Sequence, residues 1–287
     1  MAIKHRGPYI GGHVSAAGGI YRAIENAMAI GAESIQMFGS SPRQWKVTQH
    51  SSEDIERFKQ ERKKAGIKAV YLHAPYLINL ASPNAQSRAM SAGLLEGHFK
   101  IANAIEAEGL IFHIGSGKEM PREDAYPLVV SKLKEVLKKV SGKSLLVIEN
   151  SAGGGETIGS RLEEVAHIMG LVDSSRLAMC FDTAHAFESG SVREYTPTSV
   201  KELAKKINDT VGLERLVAMH VNDSKTPYDS HRDRHENIGE GYLGKESFRA
   251  LINNKDFQKP AWLLEVPGFD ETGPDKKNIQ ILKSLIR

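Results

Sequence analysis

Eight strands alternating with helices and closing into a parallel (β/α)8 barrel is the α/β fold class that this sequence predicts, with residues 1–287 as a single domain. Three observations carry that expectation. Short segments rich in Val, Ile, Leu and Phe recur along the chain without polar–apolar alternation, the pattern of parallel strands covered on both faces. Amphipathic stretches of helical period lie between them. The long polar segments follow the strands, and so fall on the C-terminal face where a TIM barrel carries its chemistry. No Pro- or Ser-rich linker and no shift in composition divides the chain.

Taken in order, the first strand is expected over about 9–15 (YIGGHVS), before the helical AAGGIYRAIENAMAIG. SIQMF (34–38) leads through GSSPRQWKVTQHS into the helix SEDIERFKQERKKAG. AVYLH (69–73) leads through APYLINLASPNA into AQSRAMSAGLLEGHFKIANAIEAEG. LIFHI (110–114) precedes REDAYPLVVSKLKEVLKKVSG, and LLVIE (145–149) runs through ENSAGGGETIGS into SRLEEVAHIMG. LAMCFD (177–182) is followed by AFESGSVREYTPT and the helix TSVKELAKKINDT. LVAMHV (216–221) opens the longest polar segment, NDSKTPYDSHRDRHENIGEGYLG. AWLLEV (261–266) is the eighth strand, and DKKNIQILKSLIR closes the chain as a helix. Several of these helices end in Gly, as a left-handed C-cap requires.

Hydrophobic residues make up 40% of the chain and charged residues 25%, the proportions of an ordinary globular protein. No apolar run reaches about 18 residues, so no membrane partner is expected. The N-terminal MAIKHRGPYIGG lacks the apolar core of a secretory leader, and a cytoplasmic protein is expected. The single Cys180 excludes an internal disulfide and sits in the apolar LAMCF, so it reads as a buried strand residue. A net charge of +3 permits nucleic-acid binding without demonstrating it. The lysine-rich EVLKKVSGK and ELAKKIND read as solvated outer faces. With no coiled-coil seam or long apolar patch in the pattern, a monomer is expected.

The chemistry lies at the strand ends. Each strand arrives apolar and stops at a metal-ligand type: His73, His113, Glu149, Asp182 with His185, His220, and Glu265. Asp233 and His235 follow in the longest loop, two apart, so extended backbone points both side chains the same way. Imidazole and carboxylate together suit Zn²⁺, Mn²⁺ or Fe²⁺. A lone His after an apolar strand is more often a satisfied structural residue, and Glu149 or Glu265 alone suits a helix cap or a Lys partner. His13, in GGHVS, is read for that reason as a partner that holds a ligand. Against the whole set the bland reading is weak. Four carboxylates at one barrel mouth repel one another without a counter-charge, and metal ions are the simplest remedy.

The motifs GGHVSAAGG, SPRQW, HAPYLINLAS, FHIGS, IENSAGGG, FDTAHAFESG, HVNDSK, DRHENIGEG and LLEVP cover nearly the whole chain. In this combination the chain closely resembles endonuclease IV, a family of zinc-dependent apurinic/apyrimidinic endonucleases of base excision repair with a xylose-isomerase-like barrel. The resemblance implies three Zn²⁺ per chain. His73 and His113 would hold one, Asp182, His220 and Glu265 a second with Glu149 bridging the two, and His185, Asp233 and His235 the third. Three Zn²⁺ with four carboxylates leave a formal +2, which a phosphodiester and one hydroxide neutralise. The reaction implied is in-line hydrolysis of the phosphodiester 5′ to an abasic site in duplex DNA. It leaves a 3′-hydroxyl and a 5′-deoxyribose phosphate, with Glu149 orienting the attacking hydroxide and accepting its proton. Clean-up of blocked 3′ ends by a 3′-phosphodiesterase activity is implied as well. So is a bacterial or archaeal setting, with nucleoid association through DNA.

The resemblance also implies DNA contacts. Arg43, with Gln44 in SPRQW, matches a loop that enters the base stack, and Arg43 is the candidate wedge. Tyr76 and Asn79 match a second loop facing DNA, where Tyr76 can stack on a base or pack on a sugar. Lys225, Arg232 and Arg234, around Asp233 and His235, are read as phosphate clamps. The glycines of SAGGGETIG read as close-packing residues. The rival reading is a sugar isomerase or epimerase of the same superfamily. That enzyme would use Glu149, Asp182, His220 and Glu265 on one divalent ion and leave His73, His113, His185, Asp233 and His235 unexplained. A non-catalytic binder of damaged DNA would not need a complete ligand set.

Overall fold

The computed structural model describes residues 7–287. Residues 1–6, on which the expectation about a leader partly rests, lie outside the described residues. Seven parallel strands follow one another around a barrel: β1 (Ile10–His13), β2 (Ser34–Phe38), β3 (Ala69–His73), β4 (Gly109–Phe112), β5 (Leu145–Glu149), β6 (Leu177–Asp182) and β7 (Leu216–His220). The chain then forms a small antiparallel pair, β8 (Asp223–Ser224) with β9 (His235–Glu236). Finally β10 (Ala261–Leu264) enters between β7 and β1 and closes the barrel.

Period-2 geometry sorts the side chains of these strands. Trp262 and Leu264 face the layer beneath the helices, while Ala261 and Leu263 point the other way and join Tyr71, Ile111, Val147, Ala178, Cys180 and Ala218 inside the barrel. Cys180 is fully buried there, as its apolar context predicts. Small residues let the interior close: a Cβ on Gly11 would strike the Ser34 carbonyl of the neighbouring strand. Each large side chain buried under the helices, such as Phe99, Leu133 or Ile168, contributes about 1.5–3 kcal/mol.

The helices α1 (Arg22–Ile30), α2 (Ser52–Ala65), α3 (Ala85–Ala104), α4 (Arg122–Lys139), α5 (Leu162–Val172), α6 (Thr183–Glu188), α7 (Pro197–Thr210), α8 (Gly244–Ile252) and α9 (Lys276–Ser284) follow the expected alternation. Gly31 and Gly66 end α1 and α2 with φ of 73°, the left-handed conformation a Gly C-cap supplies. The bounds differ from expectation in instructive places. Helix α1 starts at Arg22, not at Ala16, because Gly18 and Gly19 adopt positive φ. Helix α5 passes through Gly170 and ends at Val172, with Asp173 taking the left-handed position instead. Strand β4 stops at Phe112, since the Ile114 carbonyl accepts its hydrogen bond from Leu80 of the preceding loop. Strand β10 stops at Leu264, since the Glu265 N–H donates to the Asn222 side chain. Helix α6, helix α8 and the β8–β9 pair were not anticipated; Asp182 makes α6 by capping it, its Oδ1 accepting from His185 N at 2.8 Å. Among the described residues no helix is long and apolar enough to cross a membrane.

Candidate metal centre

Strand register assembles the site. Asp182 lies beside His220 across β6 and β7, and Phe38 beside His73 across β2 and β3. Glu149, the last residue of β5, is wholly buried at the centre. Its Oε2 lies 3.1 Å from His73 Nε2 and 3.2 Å from His113 Nε2. Its Oε1 lies 2.7 Å from His220 Nδ1 and 3.4 Å from His185 Nδ1. Glu265 Oε2 is 3.2 Å from the same His220 nitrogen. Around His185, Asp233 Oδ1 approaches Nε2 to 3.3 Å and His235 Nε2 stands 3.4 Å away.

The potential ligand atoms fall into groups within 4.8 Å of one another: His73, His113 and Glu149; Glu149, Asp182, His220 and Glu265; Asp182, His185 and His235; and His185, Glu188 and Asp233. All nine residues singled out in the sequence thus meet at one mouth, and Glu149 belongs to two groups through different oxygens. The cavity above them measures about 620 Å³ and is lined by His73, Tyr76, His113, His185, Asp233 and His235 among others.

Neighbouring groups aim the ring nitrogens. His73 Nδ1 donates to the Ala74 carbonyl at 2.7 Å, leaving Nε2 toward Glu149. His185 Nδ1 donates to the Asn150 carbonyl at 3.0 Å, leaving Nε2 toward Asp233 and His235. His220 Nε2 donates to Gln36 Oε1 at 2.7 Å, leaving Nδ1 toward Glu149 and Glu265. Such contacts fix which nitrogen can ligate. Carboxylates are aimed the same way: Asn222 Nδ2 donates to Asp182 Oδ2 at 2.7 Å, and Gln36 Nε2 to Glu265 Oε1 at 2.6 Å. His13 Nδ1 sits 3.0 Å from Gln36 Nε2 and 3.8 Å from Glu265 Oε1, beside a candidate ligand.

Electrostatics test the fit of metal ions. Burial alone would raise the Glu149 carboxyl, but His113, His220 and the other imidazoles overcome it and hold the group well below the usual carboxylate range. Glu265 behaves alike, burial being outweighed by His220 and His13. Burial would lower His185 and His220, yet the facing acids win and raise both: Asp182 and Asp233 for His185, and Glu149 and Glu265, with Cys180, for His220. Burial keeps His113 and His13 low. Among the described residues, every ion-pair partner of Glu149, Asp182, Asp233 and Glu265 is an imidazole and none is Lys or Arg. A donor set of four carboxylates and five imidazoles with no fixed cation fits divalent metal ions, which supply the missing positive charge.

The expected DNA contacts surround this mouth unevenly. Arg43, Gln44 and Trp45 stand exposed on the β2–α2 loop. Tyr76, 70% exposed, leans on Phe38 with ring centroids 5.6 Å apart and lines the cavity. Lys225, Arg232 and Arg234 are exposed, although Lys225 Nζ lies 3.8 Å from Glu236 and Arg234 Nη1 donates to the Asp233 carbonyl at 2.7 Å. Asn79 is half-buried. Its Oδ1 accepts from Ala81 N and Ser116 N and its Nδ2 donates to the Ser116 carbonyl, so the amide braces the β3–α3 loop against the β4 loop. Gln36, Asn150, Asn222 and Glu188 were missed. The visible signal for Gln36 was a polar residue inside the apolar SIQMF; Asn150 and Asn222 sit one and two residues beyond ligands, where polar residues are commonplace.

A family model described as a xylose isomerase-like TIM barrel matches residues 24–285. The chain is similar to the probable endonuclease 4 of Thermotoga maritima, 36% identical over 284 residues and covering 96% of this chain and 97% of that protein. It is also similar to the probable endonuclease 4 of a Sulfurihydrogenibium strain, 33% identical over 279 residues with 97% and 99% coverage. Among solved structures, endonuclease IV from Thermus thermophilus superposes with a TM-score of 0.85 at 30% identity, covering 97% of this chain and 98% of that one.

Proposed function

Because this chain belongs to the endonuclease 4 branch of the xylose isomerase-like TIM barrel family, we propose that it repairs DNA by hydrolysing the phosphodiester 5′ to abasic sites in duplex DNA. The products are a 3′-hydroxyl and a 5′-deoxyribose phosphate, and the same site trims blocked 3′ ends. The observation that carries this reading is the position of Glu149, buried with one oxygen toward His73 and His113 and the other toward His220. Such a carboxylate can hold two cations side by side.

In this reading His73, His113 and Glu149 would hold one zinc ion, Glu149, Asp182, His220 and Glu265 a second, and His185, Asp233 and His235 a third. Bound there, they supply Lewis acidity and lower the pKa of water to about 7. The protein does the rest. Glu149 orients the attacking water and takes its proton. Gln36, Asn150 and Asn222 keep the ligand atoms in register, so little reorganisation is needed as charge develops. Arg43 on its exposed loop props the helix open where the abasic nucleotide leaves it, with Gln44 beside it and Tyr76 against the displaced sugar. Lys225, Arg232 and Arg234 hold flanking phosphates. The rival sugar-isomerase chemistry uses four of these residues only, and the gathering of His185, Asp233 and His235 speaks against it.

Incision of a defined abasic duplex by the wild type and Glu149→Gln, with metal content measured on both, tests the proposal. The expected result is a loss of cleavage of several orders of magnitude, the size of removing a central electrostatic group. Cleavage by Glu149→Gln within about tenfold of wild type would remove Glu149 from the chemistry.

A further inference from the structure

A fifth carboxylate borders the centre and has no task in the nine-residue set. Glu188 ends α6, one turn after His185, and is wholly buried. Its Oε1 accepts from Ser224 Oγ at 2.7 Å, from Thr226 Oγ1 at 3.2 Å and from Arg234 N at 3.3 Å. Its backbone carbonyl accepts from His231 N at 2.9 Å. One residue therefore ties the helix bearing His185 to β8, to the loop bearing Asp233, and to the residue just before His235. Its other oxygen, Oε2, is buried without a hydrogen-bond partner among the described residues. The carboxylate also lies in the group that contains His185 and Asp233.

Through these four hydrogen bonds the loop that carries Asp233 is held against the helix that carries His185. We propose that Glu188 is the positioning residue of the His185–Asp233–His235 subsite. Through Oε1 it closes the 225–234 loop so that Asp233 and His235 meet His185 around a divalent cation. The inference rests on the three-cation reading given above.

The test compares wild type, Glu188→Ala and Glu188→Gln in three measurements. Zinc per chain is followed against a graded series of chelators, hydrogen exchange is read over residues 225–234, and incision of an abasic duplex is assayed. Glu188→Ala is expected to lose about one of three zinc ions, with the affinity of the weakest site lowered about 10- to 100-fold. Exchange in the 225–234 loop should rise with that loss. Glu188→Gln keeps an oxygen that accepts the same three bonds, and is expected to restore loop protection and most of the third zinc. If Glu188→Ala holds three zinc ions to the wild-type chelator midpoint, the inference is overturned. It is overturned equally if Glu188→Gln loses the third ion as fully as Glu188→Ala, which would make the residue a charge or ligand rather than an anchor. A wild type that holds fewer than three ions would instead remove the three-cation premise, and the inference with it.

Discussion

His98 on α3 has no exposure, and neither of its ring nitrogens has a hydrogen-bond partner among the described residues. It packs beneath Gly39, at the root of the loop that bears Arg43. Burial pushes its pKa down from 6.5 to about 4, with the neighbouring His73 and His50 adding to the effect. The unfolded chain therefore takes up a proton below pH 6.5 that the folded protein refuses until about pH 4. Stability present above pH 6.5 is lost as the pH falls through this window, by about 3 kcal/mol in all. Denaturant titrations of wild type and His98→Leu at several pH values check this. The variant should gain on the wild type by about that amount between pH 7 and pH 4; parallel curves would place the acid sensitivity elsewhere. At the same scale, the candidate ligands could be picked out because apolar strands stop on them. Gln36, Asn150 and Asn222 could not, because their role depends on which nitrogen or oxygen they face across the barrel, and sequence spacing does not carry that information.

Helices and strands obey local chemistry that can be separated from the site. Thr196 caps α7: Ser199 N donates to Thr196 Oγ1, Ser199 Oγ accepts from Thr196 N in return, and Pro197 opens the first turn. Thr196→Ala should cost about 1 kcal/mol and lower the melting temperature by a few degrees, with metal content and incision unchanged. Loss of metal in that variant would show that α7 reports to the centre. The barrel strands were legible to within two or three residues at their ends, since a double-covered strand needs a mostly apolar run. Helix α6 was not: LAMCFD reads as a strand and AFESG as the start of a polar loop, and the helix forms because the Asp182 carboxylate caps it while also facing the imidazoles. The β8–β9 pair was equally hidden. It is two residues long on each side, and it is held by long-range bonds such as Lys225 N to the Arg234 carbonyl at 2.8 Å and the Ser224 hydroxyl to Glu188.

At the scale of the whole molecule, a net charge of +3 gives only weak attraction to DNA at a distance. In the function proposed above, affinity depends on local cations, chiefly the metal ions and the exposed Lys225, Arg232 and Arg234. In a titration of abasic-duplex binding against salt, Arg232→Ala should flatten the slope of log K against log salt by about one, with base sequence immaterial. An unchanged slope would take Arg232 off the phosphate backbone. The barrel's contribution is convergence. Residues from His73 to Glu265 reach one cavity only because eight parallel strands point their C-terminal ends at the same axis.

Anomalous diffraction at the zinc edge, from crystals of the metal-loaded protein, tests the centre most directly. Three peaks are expected: beside His73 and His113, beside Asp182, His220 and Glu265, and beside His185, Asp233 and His235, with Glu149 touching the first two. A lone peak within the Glu149, Asp182, His220 and Glu265 quartet would contradict the account and point to sugar chemistry instead.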